Sequence, residues 1–363
     1  MRALSSLHIN LNFFSENFRL TFRDAGARKL IPMIKANAYG HGMGEVAKHC
    51  IKNHLPEMDG FGVATLQEGI QLRQEIGEVQ QDIYVFSETE FLISTSLELY
   101  GQFGLIPVIS SLQQLEIFTS SSHFRHVPLV VKIDTGMKRL GISFEDLDIF
   151  FLNLKKHNRT QIYHLMSHLA CSDELNHPLN SMQISKFQKC IDLVRSHNIL
   201  IEKTSLSNSG SLVNNLENFC SHVRPGIRLY TDYGGGKLVS SLETEILDIK
   251  KLSAHESFGY GACSMNTEGW LAIIPVGYAD GIPLSVKGYK FTTEDHIKVE
   301  FVGRINMDLS YLWSDQPLPW RNGSLIKLWS NEQNHLNFLA KHMGAHVYQV
   351  LTGISYRIPR RYH

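Results

Sequence analysis

The sequence has no surplus of charge of either sign. Lys plus Arg number 35 and Asp plus Glu number 35 in 363 residues, for a formal net charge of +0. Nothing here points to nucleic acid or an anionic membrane surface as a partner. Cysteine is scarce: Cys50, Cys171, Cys190, Cys220 and Cys263 are odd in number, scattered, and never form a C-x-x-C pair. That excludes a disulfide frame or a cysteine zinc site and leads us to expect reduced thiols in a cytoplasm. No apolar run approaches a membrane span. The N-terminus mixes Arg2, His8, Asn10 and Asn12 into its apolar residues, which spoils a signal-peptide core. The 18 histidines show no H-E-x-x-H spacing, so no metal site is expected. Internal repeats and low-complexity tracts are lacking too. What remains is a well-buried composition, 43% hydrophobic and 19% charged. The length suits one large domain and a smaller one.

Short apolar runs recur at Leu30–Lys35, Gly60–Thr65, Asp82–Phe86, Leu105–Ser110, Leu129–Asp134, Ile162–Leu169, Thr204–Asn208 and His222–Ile227. Segments of helical periodicity lie between them, among them Met43–Lys52, Leu66–Ile76, Phe144–Lys156 and Ser181–His197. Alternating strand and helix implies a parallel sheet. Eight such units fit a (β/α)8 TIM-type barrel, with a doubly wound open sheet as the competitor. Polar residues favour the barrel. Lys35, Thr65, Lys132, Asp134, His168, Asn208, Ser209 and Arg224 fall at strand C-terminal ends or just beyond. A barrel gathers those ends on one face, where its active sites form.

The pattern shifts at Tyr233-Gly234-Gly235-Gly236-Lys237. No strand precedes these glycines and no G-K-[ST] follows, so they read as a hinge, not a phosphate loop. Beyond it, Leu271–Val276, Ile297–Val302, Leu309–Trp313 and Leu325–Leu328 alternate with turn signals, and a helix is expected near Asn334–Met343. The chain therefore divides, on this reading, into a barrel over 1–233 and a mainly β domain over 234–363.

The chemistry centres on Ile31-Pro32-Met33-Ile34-Lys35-Ala36-Asn37-Ala38-Tyr39-Gly40-His41-Gly42. A lysine at the end of a buried strand has its ammonium form disfavoured, which suits an amine that must attack a carbonyl. The plain alternative is a lysine that snorkels to the rim or pairs with a carboxylate. Val131-Lys132-Ile133-Asp134-Thr135-Gly136-Met137-Lys138-Arg139-Leu140-Gly141 could likewise be a salt bridge at a barrel mouth, and His168 in His164–Asp173 a satisfied core histidine. Ser207-Asn208-Ser209-Gly210 and Val223-Arg224-Pro225-Gly226-Ile227 could form a phosphate cup. Phe258-Gly259-Tyr260-Gly261-Ala262 could be a simple turn.

Taken together, these motifs resemble the alanine racemases, in the family's order and over the whole chain. So do Pro275–Gly281 with Tyr278, Val302–Asp308 with Arg304, Met307 and Asp308, and Ile354–Arg360 with Tyr356. The resemblance implies pyridoxal 5'-phosphate carried on Lys35. Tyr39 and Ser209 would serve its phosphate, with the Gly226 and Ile227 amides, beside Asn208. Arg139 would face its phenolic oxygen and the substrate, and Arg224 its ring nitrogen. Lys132, often carbamylated in the family, would hold Arg139. His168 would support the catalytic tyrosine, Tyr260, and Asp173 would stand at the substrate entrance. Met307 and Tyr356 would crowd the substrate, with Tyr278, Arg304 and Asp308 in supporting places. Three positions depart from the family pattern. Lys138 and Thr231 stand where glycine is usual, and Leu284 where an arginine is frequent.

The resemblance further implies interconversion of L- and D-alanine, for peptidoglycan or for catabolism, by a homodimer whose two chains share each site. Racemisation removes a proton from one face and returns it on the other, so two acid–base groups are needed. Lys35 and Tyr260 fill those roles. A serine or broad-specificity racemase remains open. An amino-acid decarboxylase on the same barrel is disfavoured by Arg224 and Tyr260, and a non-catalytic cofactor carrier by the β domain.

Overall fold

Buried parallel strands carry apolar side chains on both faces, and the runs found above form such strands. The computed structural model describes residues 3–87, 94–332 and 335–363. Its parallel strands are Lys29–Leu30, Gly60–Val63, Asp82–Val85, Ile106–Ile109, Val130–Asp134, Gln161–Met166, Leu200–Ser205 and His222–Val223. From the second onward, each pairs with the next. The last returns to the first through His222↔Lys29 and Val223↔Leu30. Isolated parallel bridges at Leu30↔Met58 and Met33↔Gly62 join the first to the second. An open sheet would leave its outer strands unpaired, so the ring of pairings makes this the expected barrel, nearly closed. Helices such as Met43–His54, Leu66–Ile76 and Pro178–Ser196 separate its strands. Pro178 sits in the first turn of its helix, where a missing N–H costs nothing.

Several strands are shorter than or shifted from their sequence reading: His222–Ile227 is a strand only over His222–Val223, and Ile162–Leu169 only over Gln161–Met166. The run at Leu30–Lys35 pairs as a ladder only over Lys29–Leu30, because the chain leaves the extended form beyond Ile34. The run placed at Thr204–Asn208 pairs over Leu200–Ser205, and Asn208 instead caps a short helix, Ser209–Val213. Asparagine is a strong capping residue, which explains why strand gives way there. Inside the barrel, Ile31, Tyr84, Ile106, Val108, Val130 and Met166 pack into one cluster. Each large apolar side chain buried there contributes roughly 1.5–3 kcal/mol.

The chain gathers into two compact units. One comprises Ser15–Ala38 with Met43–Gly236, and the other Met1–Phe14, Tyr39–Gly42 and Lys237–His363. The second unit contains a four-stranded sheet ordered Leu325–Trp329, Ser240–Glu245, Ser5–Ile9, Arg360–Tyr362. Its N-terminal strand runs antiparallel to Ser240–Glu245 and parallel to Arg360–Tyr362. A five-stranded antiparallel sheet follows the order Asp248–Leu252, Gly269–Ile274, Ser310–Ser314, Lys298–Val302, Lys290–Thr292. The helix His335–His342 answers the expected one, whose Asn334 lies outside the described residues. Leu252, Phe258, Leu271 and Val302 form this unit's buried cluster.

Candidate active site

Lys35 opens a turn whose glycines, Gly40 and Gly42, come only after four left-handed residues that are not glycine. Ala36, Asn37, Ala38 and Tyr39 all have φ between 50 and 54°, the left-handed region, which costs an L-residue roughly 1–2 kcal/mol. Hydrogen bonds hold the turn: Ala38 N–H to the Ile34 carbonyl at 2.8 Å, and Met43 N–H to Asn37 Oδ1 at 2.7 Å. Ala36 N–H donates to Glu68 Oε1, also at 2.7 Å. Lys35 reaches the surface, yet the surrounding protein still desolvates its amine and lowers its pKa. The positive charge of Arg139 adds to that effect, and Glu68 opposes it.

Cations crowd the same rim. Lys132, in the strand Val130–Asp134, is buried. Burial lowers its pKa to about 8, helped by Arg224, Arg139 and Lys35, with Asp134 the only opposing charge. The Asp134 carboxylate is occupied by main-chain donors, Gly136 N–H at 2.8 Å and Lys138 N–H at 3.1 Å. Lys138 keeps the left-handed form, at φ 56°, where the family usually has glycine. A residue with a side chain therefore bears the strain of that conformation here.

Arg224 is buried and donates to Ser205 Oγ, to the Ser167 carbonyl and to His168 Nδ1, the last at 3.3 Å. Burial pushes the His168 pKa well below its ordinary value, as do Arg224, Lys132, Arg139 and Lys35. A neutral imidazole that accepts at Nδ1 carries its proton on Nε2. Sequence reading did not single out Ser205 or Ser167, small hydroxyl residues in buried strand ends with no motif of their own.

The eighth strand leads into the segment read as a possible phosphate cup. Ser209 Oγ accepts from Gly226 N–H at 3.0 Å and Arg228 N–H at 3.4 Å. Gly226, Ile227 and Ser209 are all buried. Asn208 Oδ1 receives Ser211 N–H and the Ser172 hydroxyl. Thr231, the second departure from the family, turns its hydroxyl onto the Ile227 carbonyl at 3.0 Å. Tyr230 ties this end of the barrel to the Lys35 segment through Met33 O at 3.0 Å. Asp173 is exposed and accepts from the Tyr233 hydroxyl at 3.2 Å.

The remaining predicted residues belong to the second unit. Tyr260 sits at the turn of a two-stranded hairpin, Ser257–Phe258 with Cys263–Ser264, and is 70% exposed. Arg304 lies beneath this turn, so close that a Cβ on Gly261 would meet its Cζ at 2.9 Å. Tyr278 N–H and Ala279 N–H bond to the Asn306 and Met307 carbonyls, both at 3.0 Å. Arg357 joins Asp308 at 2.6 Å and Asp280 at 3.3 Å, fastening the loop of Tyr356 to those of Met307 and Tyr278. Tyr39 also belongs to this unit, its ring 5.6 Å from that of Tyr348. Leu284 is 64% exposed.

Among the described residues, no group of three or more His, Cys, Asp or Glu could hold a metal ion. The barrel rim instead collects Lys35, Lys132, Arg139 and Arg224 around carboxylates already occupied by main-chain N–H donors. Such an excess of positive charge fits an anionic ligand with a phosphate and a phenolic oxygen, and an amine of lowered pKa suits its aldehyde. Fold and site together define a barrel enzyme built for pyridoxal phosphate.

The sequence model described as "Alanine racemase, N-terminal domain" matches residues 9–234, and "Alanine racemase, C-terminal domain" matches 239–362. The chain belongs to the alanine racemase family. It is 30% identical to the biosynthetic alanine racemase of Pseudomonas aeruginosa, covering 98% of both chains. It is 31% identical to the catabolic enzyme of the same organism, covering 100% of this chain and 99% of the other. The solved structure of that biosynthetic enzyme matches with a TM-score of 0.86 at 28% identity, over 100% of both chains. The Bartonella henselae alanine racemase, solved with covalently bound pyridoxal phosphate, matches at 0.88 and 25%, also over 100% of both.

Proposed function

We propose that this protein interconverts L- and D-alanine with pyridoxal phosphate held on Lys35. The observation that carries the reading is the left-handed turn presenting Lys35 within a carboxylate-poor group of cations. Bound there, the cofactor supplies the electron sink that loosens the substrate's Cα–H bond. Ser209, Gly226, Ile227 and Tyr39 would hold its phosphate, with Asn208 bracing the cup through its cap of Ser209–Val213. Arg139 would face its phenolic oxygen and the substrate, braced by Lys132, and the Met307 amide would meet the substrate carboxylate. Arg224 would meet its ring nitrogen. A guanidinium has no proton to give, so Arg224 presents a hydrogen bond and a fixed charge without protonating its partner.

Two residues of this chain move protons. Lys35 Nζ takes or returns one on its face, its lowered pKa making the free amine accessible. Tyr260 serves the opposite face. A phenol near pKa 10 is a weak base at neutral pH, and the Nε2 proton of His168, fixed by Arg224 on the other nitrogen, is the donor that would favour its phenolate. Met307 and Tyr356 would limit substrate size, with Tyr278, Arg304 and Asp308 holding their loops and Asp173 at the entrance. The division of labour follows a break near residue 233: 1–233 holds the cofactor and 234–363 supplies the second base.

A homodimer with shared sites is part of this reading. Tyr260, Tyr278, Leu284, Met307 and Tyr356, all of the second unit, are each at least 47% exposed, and large side chains left open in this way suit a contact surface. A second copy would cover it. A cytoplasmic setting is supported by five free cysteines, three of them buried. No helix among the described residues is long and apolar enough to cross a membrane. The deciding experiment assays purified protein with L-alanine, L-serine and L-lysine, with and without added cofactor. We expect cofactor-dependent racemisation fastest with alanine; faster turnover of serine would shift the reading to a serine or broad-specificity racemase, and no turnover would end it.

A further inference from the structure

Glu68 occupies the third position of the helix Leu66–Ile76, whose cap, Thr65, accepts from Glu68 N–H at 3.2 Å. A glutamate so placed ordinarily turns back to the N–H of its own cap residue. Here it does not. Its Oε2 takes Ala64 N–H and its Oε1 takes Ala36 N–H, both at 2.7 Å. One carboxylate therefore clamps the ends of two neighbouring barrel strands, and one of the clamped amides immediately follows Lys35. That amide is also the first of the four left-handed residues. Strained backbone persists only where its surroundings over-determine it, and a charge-assisted hydrogen bond is stronger than a neutral one. The positive end of the helix dipole favours the same carboxylate.

We propose that Glu68 is a positioning residue for Lys35: its forked carboxylate fixes the first peptide of the left-handed turn and thereby the direction in which the amine reaches. The inference rests on the reading of Lys35 as the cofactor-bearing lysine. The Lys35 amine is then presented from one fixed position, and Glu68 supplies a nearby negative charge.

The test follows pyridoxal phosphate joining the apoprotein, with borohydride trapping and peptide mapping of residue 35, across pH. Glu68→Gln leaves one of the two N–H donors facing an amide NH2 and removes the charge. Trapping at residue 35 should slow by about tenfold, the scale of one lost hydrogen bond to a charged group, and its pH midpoint should move down. Glu68→Asp keeps the charge but is too short to span both amides, so trapping should slow with the midpoint unchanged. Thr65→Ala is the control, removing the cap of the same helix while leaving the clamp. It should lower the melting temperature yet leave trapping as in the unaltered protein. If Glu68→Gln and Thr65→Ala slow trapping equally, or Glu68→Gln leaves it untouched, the positioning role is overturned. If the unaltered protein traps no cofactor at residue 35, the proposed function itself fails and this inference with it.

Discussion

Lys132 shows how the site's electrostatics bear on stability. It is 7% exposed, and its pKa falls from 10.5 to about 8. The folded state therefore holds this proton less tightly than the unfolded chain. Below pH 8 both states are protonated and the destabilisation is fully present. Between about 8 and 10.5 the unfolded chain binds more protons, so stability rises with pH. We expect that rise to reach about 3 kcal/mol at most, and Lys132→Met, which keeps bulk without charge, to abolish it. Urea titrations of both proteins at several pH values, in carbonate-free buffer, measure the difference. Parallel curves would mean that Lys132 is not held as a strained cation. The carbonate condition matters because a free amine at pH 8 is the form that carbamylation requires. Lys35, Lys132, Asp134 and Arg224 were legible in the sequence by their place at strand ends, and Arg139 only through the family resemblance. Ser167 and Ser205, which orient Arg224, were not, since a serine in a strand end carries no signal of which side chain it will meet.

At the scale of elements, the barrel was readable because parallel strands buried on both faces become unbroken apolar runs. Strand limits were less so. Ala36, Asn37, Ala38 and Tyr39 contain no glycine to announce a left-handed turn, and the strand reading ran on to Lys35. Ser5–Ile9 was missed altogether, because its partners lie more than 230 residues away and a lone five-residue strand has no pairing signal of its own. Glu68 was not singled out, and the T-x-x-E pattern it closes implies a local bond to the cap that the structure diverts to Ala64 and Ala36. Loop contacts in the second unit make a sharper test. A Cβ on Gly277 would come within 2.3 Å of Asn306 O and 2.4 Å of Met307 O. Gly277→Ala must push apart the two loops that carry Tyr278 and Met307. We expect it to destabilise the protein by about 1–3 kcal/mol, the range for overpacking a fixed contact. It should also raise KM for alanine more than it lowers kcat, if those loops bind substrate. Steady-state kinetics beside a denaturation curve gives both numbers, and an unperturbed melting temperature would show that the contact yields freely.

At the scale of the whole molecule the question is what completes the site. Lys35 belongs to the barrel unit, whereas Tyr260 projects from a hairpin of the other unit and is 70% exposed. An acid–base residue this open to water is neither oriented nor shielded from solvent by its own unit. Enclosure by a second copy answers this, and a two-fold contact is reciprocal, so both sites are built alike. On this arrangement Lys35→Ala and Tyr260→Phe proteins should each be nearly inactive. Mixed in equal amounts, dissociated and reassembled, half of the dimers become hybrids under random pairing. Each hybrid has one site lacking both groups and one site intact, made of Lys35 from one chain and the tyrosine from the other. About a quarter of full activity should therefore return. If Tyr260 instead served the lysine of its own chain, every site in every hybrid would lack one group, and mixing would restore nothing.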